Sequence, residues 1–202
     1  MVVLKEALLN ELKYLNSTID LTDIDSILIG LKYNFRFELG EPYKNGTKKR
    51  VNQSTKRASE IFESYFNSDK DIYILIHDFD DDGFAHTPNY LYNLLESNNV
   101  KLEKSNKMLG TRTYDENEKL ERYKGQLSIA LANRNNLKYK EIFKAIANTE
   151  MGFEPTIHQI LYFLQPSEKK CFYMYDDRGC IIFSQKKSDL NEIIEKFEDW
   201  II

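Results

Sequence analysis

The sequence predicts an α+β fold: a central mixed, largely antiparallel sheet with flanking helices, ending in a β-hairpin and a helix. Three observations carry this expectation. Helical and strand periodicities interleave along the chain. Residues Asp176 to Gly179, lying between two apolar runs, have the composition of a tight hairpin turn, which argues against an all-parallel sheet. The chain has 202 residues, 42% of them hydrophobic, with 13 Tyr and 12 Phe but only 4 Pro and 8 Gly, so it has material for a core and is neither disordered nor fibrous.

The elements follow in order. Leu4, Leu8, Leu12 and Leu15 form one apolar stripe of an amphipathic helix that ends at Asn16 and Ser17. A polar stretch with Asp20, Asp23 and Asp25 leads to Tyr33–Leu39, where apolar residues alternate with Asn34, Arg36 and Glu38 as in a half-buried strand. Lys44 to Arg57 is a locally basic loop running into a helix marked by Ala58, Ile61, Phe62 and Tyr65. Ile72–Ile76 is a strand apolar on both faces. Thr87 and Pro88 are the expected N-cap and first residue of a helix carrying Leu91, Leu94 and Leu95. Residues 101–125 are weakly patterned and read as short strands or an excursion.

Gln126–Asn133 is a further strand, and Ile142 to Ala147 mark a helix ending near Gly152. Ile157–Leu164, Cys171–Tyr175 and Cys180–Phe183 are strands, the last two forming the hairpin. Ser188 is the expected cap of a final helix whose Leu190, Ile193, Ile194, Phe197 and Ile201 share one face, with Phe197, Trp200 and Ile201 expected to dock on the hairpin sheet. No repeat or linker interrupts the pattern, so one domain over 1–202 is expected.

Met151 to Pro155, Arg36 to Gly40 (Arg-Phe-Glu-Leu-Gly) and Tyr175 to Cys180 (Tyr-Asp-Asp-Arg-Gly-Cys), followed by Asp199 to Ile201, resemble a bacterial family common in Gram-positive organisms, domain of unknown function 3885. The resemblance runs from about 33 to 202 and is strongest over 151–202. It departs from the family pattern at Ile181, where relatives carry a polar acidic residue. It implies a fold, not an activity.

The candidate polar site combines Arg36, Glu38, Asp176, Asp177 and Arg178, because Arg36 and Glu38 share a strand face and the other three form a rigid turn. Set against this is a structural reading in which Asp176 accepts turn amides and Arg178 pairs with a carboxylate. Asp78, Asp80 and Asp82 before Gly83 repeat the first half of a calcium loop, but position twelve is Asn89 instead of a bidentate glutamate, so a solvated acidic loop is the preferred reading. His158 reads as a core or sheet-face histidine. Two cysteines, Cys171 and Cys180, are too few for a disulfide framework, and neither has the basic surroundings of a reactive thiolate. With the turn centred between Asp177 and Arg178 they lie opposite Ser184 and Tyr175 and do not face each other.

A net charge of −4 argues against nucleic acid as partner, and no apolar run reaches the roughly 18 residues of a membrane span. The expectation is a cytoplasmic, non-catalytic module that binds another protein, such as an immunity or toxin-neutralising protein, with no cofactor and with homodimerisation left open. The alternative is an enzyme or small-molecule binder that holds a phosphorylated or nucleotide-like ligand on its arginines.

Overall fold

The structure, a computed structural model, describes residues 4–15, 19–79, 87, 89–108, 112–113, 120–121 and 125–201, with backbone alone for 105–108, 112–113 and 120–121. In chain order the elements are α1 (Leu4–Leu12), α2 (Asp25–Leu28), β1 (Tyr33–Glu38), α3 (Lys48–Tyr65), β2 (Ile72–Phe79), α4 (Tyr90–Ser97) and β3 (Lys101–Met108). Then come β4 (Arg112–Thr113), β5 (Leu120–Glu121), β6 (Gly125–Ala132), α5 (Tyr139–Met151), β7 (Ile160–Gln165), β8 (Lys170–Met174), β9 (Gly179–Ser184) and α6 (Lys187–Lys196). Seven strands make one sheet in the order β1-β9-β8-β7-β2-β6-β3, every neighbouring pair antiparallel, while β4 and β5 pair only with each other. The fold is α+β, with helices on both sheet faces.

The two faces hold separate cores. On the first, α3 to α6 cover Ile74, Ile76, Phe163, Phe172 and Ile182. Phe62 is its centre, with ring centroids 5.0–5.3 Å from Phe66, Tyr139, Phe143, Phe163 and Phe172, mostly edge to face. On the second, α1 and the segment through α2 press Leu8, Leu12, Leu21, Ile27 and Leu31 against Tyr73, Leu75, Tyr162, Leu164 and Cys171. This double coverage is why β2 is apolar on both faces although the sheet is antiparallel. It also explains the stretch around Asp20, Asp23 and Asp25, whose apolar residues are a lid and not a connector.

His77 lies in the second core, its Nε2 3.1 Å from the Leu21 carbonyl oxygen. A carbonyl only accepts, so Nε2 carries the proton. Burial holds the ring's pKa below its ordinary value.

Several boundaries differ from the sequence expectation. The hairpin register pairs Met174 with Cys180 and Cys171 with Phe183, so the turn is centred on Asp177 itself, one step from the expected register. Both cysteines are free and fully buried, and burial pushes both thiols up, which fits inert packing. α3 starts at Lys48, so most of the expected basic loop is helical. Thr87 does not cap α4: the N-cap is Asn89 in the left-handed region, and the Thr87 hydroxyl instead donates to Glu154. α6 starts at Lys187, ahead of Ser188, with Ser184 accepting from the Lys186 amide and donating to Asp189. β7 begins at Ile160, which leaves His158 before the strand. At the C-terminus Phe197 docks on Phe37 of β1 and Trp200 stacks on Phe197 at 4.6 Å, but Ile201 stays exposed.

Phe62→Ala removes the ring shared by both helices and sheet, and is expected to lower stability by about 3–5 kcal/mol in urea denaturation. His77 supplies a pH signature. Its folded pKa lies below the unfolded value of 6.5, so its contribution is intact above that pH and is lost as pH falls below it through the folded pKa. Urea midpoints measured from about pH 7 to about pH 5 should therefore fall less steeply for His77→Gln than for the parent chain.

Candidate functional site

The residues singled out by the motifs meet at one end of α3. This helix is capped by Thr47, whose hydroxyl accepts from the Arg50 amide at 3.3 Å. Arg50, Ser54, Ala58, Ile61 and Tyr65 then follow at helical spacing and are all buried, so the apolar stripe opens with a guanidinium. The Arg50 side chain is 5% exposed and that of Asp177, in the β8–β9 turn, 1% exposed. Arg50 Nε donates to the Asp177 carboxylate and Nη1 donates to the Tyr43 carbonyl at 2.7 Å. Ser54 donates to the Asp177 carbonyl at 2.7 Å.

The same helix face holds the loop after β1. Gln53 Nε2 donates to the carbonyls of Gly40 (3.1 Å) and Glu41 (2.5 Å), and Arg57 Nη1 donates to that of Glu38 at 3.2 Å. Glu38 turns its carboxylate onto this loop, accepting from the Gly40 amide at 2.8 Å and the Glu41 amide at 3.2 Å. The Leu39 amide donates to the Arg178 carbonyl at 3.0 Å, which joins loop to turn. Two glycines are steric necessities. A β-carbon on Gly40 would overlap the Arg50 guanidinium. One on Gly179 would overlap Tyr175 and approach the Phe37 carbonyl oxygen to 2.8 Å.

The five expected site residues thus lie in one region but do not converge on a shared cluster. Glu38 holds loop amides and Asp177 holds Arg50. Asp176 is buried and accepts from the Arg178 amide (2.7 Å), Nε (2.8 Å) and Nη2 (2.5 Å), while the Arg178 side chain is 64% exposed. That bonding raises the Arg178 pKa further. Arg36 lies 5.5 Å over the Tyr175 ring. Sequence reasoning read Arg50 and Arg57 only as cations of the basic stretch from Lys44 to Arg57, and missed Gln53 and Ser54. The available signal was position, because Arg50 falls on the stripe of Ser54, Ala58 and Ile61.

Other candidates stand apart. Asp78, at the end of β2, accepts from the Tyr92 hydroxyl at 2.8 Å and from Gln159 at 3.3 Å, with His158 Nε2 3.8 Å away. Asp80 and Asp82 lie outside the described residues, among which no group of three or more His, Cys, Asp or Glu is arranged to hold a metal. A cleft of about 280 Å³ is lined by Glu63, Arg134, Asn135 and Tyr139. Glu63 there accepts from Tyr139 at 2.5 Å, which holds its pKa below the ordinary range, and Arg134 donates to the Glu63 and Phe66 carbonyls. A second cleft of about 180 Å³ involves Asp71, Asn98, Asn133 and Asn136. Neither borders the β8–β9 turn.

With β1, the turn and the C-terminal helix arranged around α3, the comparison with known families has a structural frame. Residues 12–202 match the family described as a domain of unknown function (DUF3885). The chain belongs to that family. The match begins at residue 12 and not near 33, so the DUF3885 unit takes in the segment through α2 that covers the second sheet face. Uncharacterized protein YnaE of Bacillus subtilis (strain 168) is 26% identical over 89 residues, which are 41% of this chain and 42% of that relative, so the matched region spans less than half of either protein. No solved structure matches this DUF3885 chain.

Gly40→Ala should push the Arg50 guanidinium away from Asp177 and lower stability by about 2–4 kcal/mol in urea denaturation. Lys44→Ala, an exposed change on the same loop, should stay within about 0.5 kcal/mol of the parent chain.

Proposed function

We propose that this chain is a non-catalytic bacterial module that works by binding another protein, in the manner of an immunity or toxin-neutralising protein. One observation carries the reading. The carboxylates and guanidinium groups that a polar active site would need are engaged in holding the chain together: Asp177 with Arg50, Asp176 with Arg178, and Glu38 with the Gly40 and Glu41 amides. The buried members of these pairs, Asp177, Arg50, Asp176 and Glu38, position backbone and neighbouring side chains and do not meet a substrate.

The surface chemistry agrees with a protein partner. Glu192, Glu195, Glu198 and Asp199 are exposed along α6 and the turn after it, outnumbering the exposed Lys187 and Lys196 of the same helix, on a chain of net charge −4. Such a strip steers association with a basic surface, of the kind a nuclease presents to its substrate. Among the described residues no helix is long and apolar enough to cross a membrane. Of the two arginines a small-molecule reading would use, Arg178 is already bonded to Asp176.

The test is to express the products of the genes adjacent to this one, each with and without this chain, in a heterologous host. The reading expects one product that arrests growth alone, growth restored by this chain, and a stoichiometric complex on size-exclusion chromatography. Rescue without a complex, or no neighbour that is bound, contradicts it.

A further inference from the structure

The two edges of the seven-stranded sheet are built differently. At one end, β3 carries exposed Lys101 and Lys104, and its pairing with β6 shifts register between Lys104 and Met108. Lysines and irregular register are the devices that keep a sheet edge from accepting another strand. At the other end, β1 pairs with β9 without a shift from Tyr33 to Glu38 and contains neither Lys nor Pro. Among the described residues no strand pairs with its outer side. Tyr33, Asn34 and Arg36 are exposed, whereas the first six residues of the central strand β2 are buried.

The sheet face beside this edge is apolar and only partly covered. The register sets Arg36 beside Ile181 and Ile181 beside Tyr173, and Tyr173 lies 4.7 Å from Tyr162 in the second core. Ile181, Tyr173 and Tyr175 are half-buried, and Arg36 lies over Tyr175. Among the described residues Arg36 has no carboxylate within ion-pair distance, because Glu38, two residues on, is turned onto the loop amides.

The geometry points to the outer edge of β1 as a strand-addition site for an extended segment of a partner protein, one that sets a carboxylate opposite Arg36 and apolar residues on either side of it. This rests on the protein-binding reading and names the chemistry of the partner. Main-chain bonds to β1 provide the affinity and the alternating side chains the selectivity. Opposite charges facing each other across two strands stabilise the pair, and like charges destabilise it. That rule disfavours a second copy of this chain. An antiparallel two-fold pairing centred on Arg36 sets Arg36 against itself. One centred on Phe35 offers it Asn34. One centred on Phe37 offers it Glu38, whose carboxylate is buried in the loop. An acidic strand from another protein gives Arg36 its counter-charge without the like-charge or buried-carboxylate conflict of these self-pairings.

The test uses the full chain, labelled with ¹⁵N, and two capped peptides: acetyl-Thr-Val-Glu-Val-Glu-Val-Thr-amide and the same peptide with Lys for Glu. The expected result is chemical-shift change and slowed amide exchange centred on Tyr33 to Phe37, with the Glu peptide about fivefold tighter than the Lys peptide. Arg36→Glu, an exposed change, should leave the spectrum folded and reverse that preference. The proposal is overturned if neither peptide binds at about 5 mM, if both bind equally, or if the changes map elsewhere. It is also overturned if β1 becomes protected with rising protein concentration alone, which would identify a second copy as the occupant. The complex from the neighbouring-gene experiment separates the two readings. A stoichiometric complex with β1 amides unprotected removes strand addition and keeps the binding module. Peptide binding with no neighbour bound keeps the edge site and removes the module reading.

Discussion

The buried pair of Arg50 and Asp177 is the constraint on which one end of the molecule depends. A guanidinium at 5% exposure and a carboxylate at 1% tolerate burial only while each has its partner and its remaining hydrogen bonds. That condition dictates what surrounds them. Position 40 must be glycine so that the guanidinium has room, the loop must bring the Tyr43 carbonyl to Nη1, and Ser54 must hold the Asp177 carbonyl. The motif residues around the loop and the turn are thus two halves of one fastening, with α3 between them. The C-terminus joins it through Arg57, which bonds the Glu38 carbonyl and lies 5.2 Å over the Trp200 ring.

This fastening has a consequence for the sheet. It fixes β1 at its far end, where Glu38 enters the loop, while the near end from Tyr33 to Arg36 remains open to water. The second face is closed over the central strands by α1 and the segment through α2, and opens toward β9 and β1. A rigid edge strand beside a partly covered aromatic face costs little conformational entropy to engage.

Much of the fold was legible in the sequence because periodicity reports burial directly. The stripe of α1, the continuous apolar run of β2 and the hairpin around the Asp-Asp-Arg-Gly turn all follow that rule. What was not legible depended on long-range partners. Arg50 read as one cation among several because its significance lies in Asp177, 127 residues away. The segment from Asp20 to Leu31 read as polar because its three aspartates masked Leu21, Ile27 and Leu31, which reach the second core. Thr87 and Ser188 have the residue types of helix caps, yet Thr87 hydrogen-bonds Glu154 and α6 starts ahead of Ser188. The candidate site was legible as a location but not as a set of roles: the five charged residues lie in one region, yet only Asp176 and Arg178 bond each other, while Asp177 bonds outward to α3, Glu38 to the loop amides, and Arg36 rests on Tyr175.

A double-mutant cycle on Arg50 and Asp177 tests the central claim most directly. Urea denaturation of Arg50→Met, Asp177→Asn and the double variant gives the three free-energy differences needed. The account predicts a loss of about 3–5 kcal/mol for each single change, since each leaves a buried charge without its buried counter-ion, the 69% exposed Glu41 at 3.8 Å from Arg50 being no substitute, and a double variant less destabilised than their sum by about 2 kcal/mol or more. Losses that add to within about 0.5 kcal/mol would contradict it, because the two groups would then stabilise the fold independently.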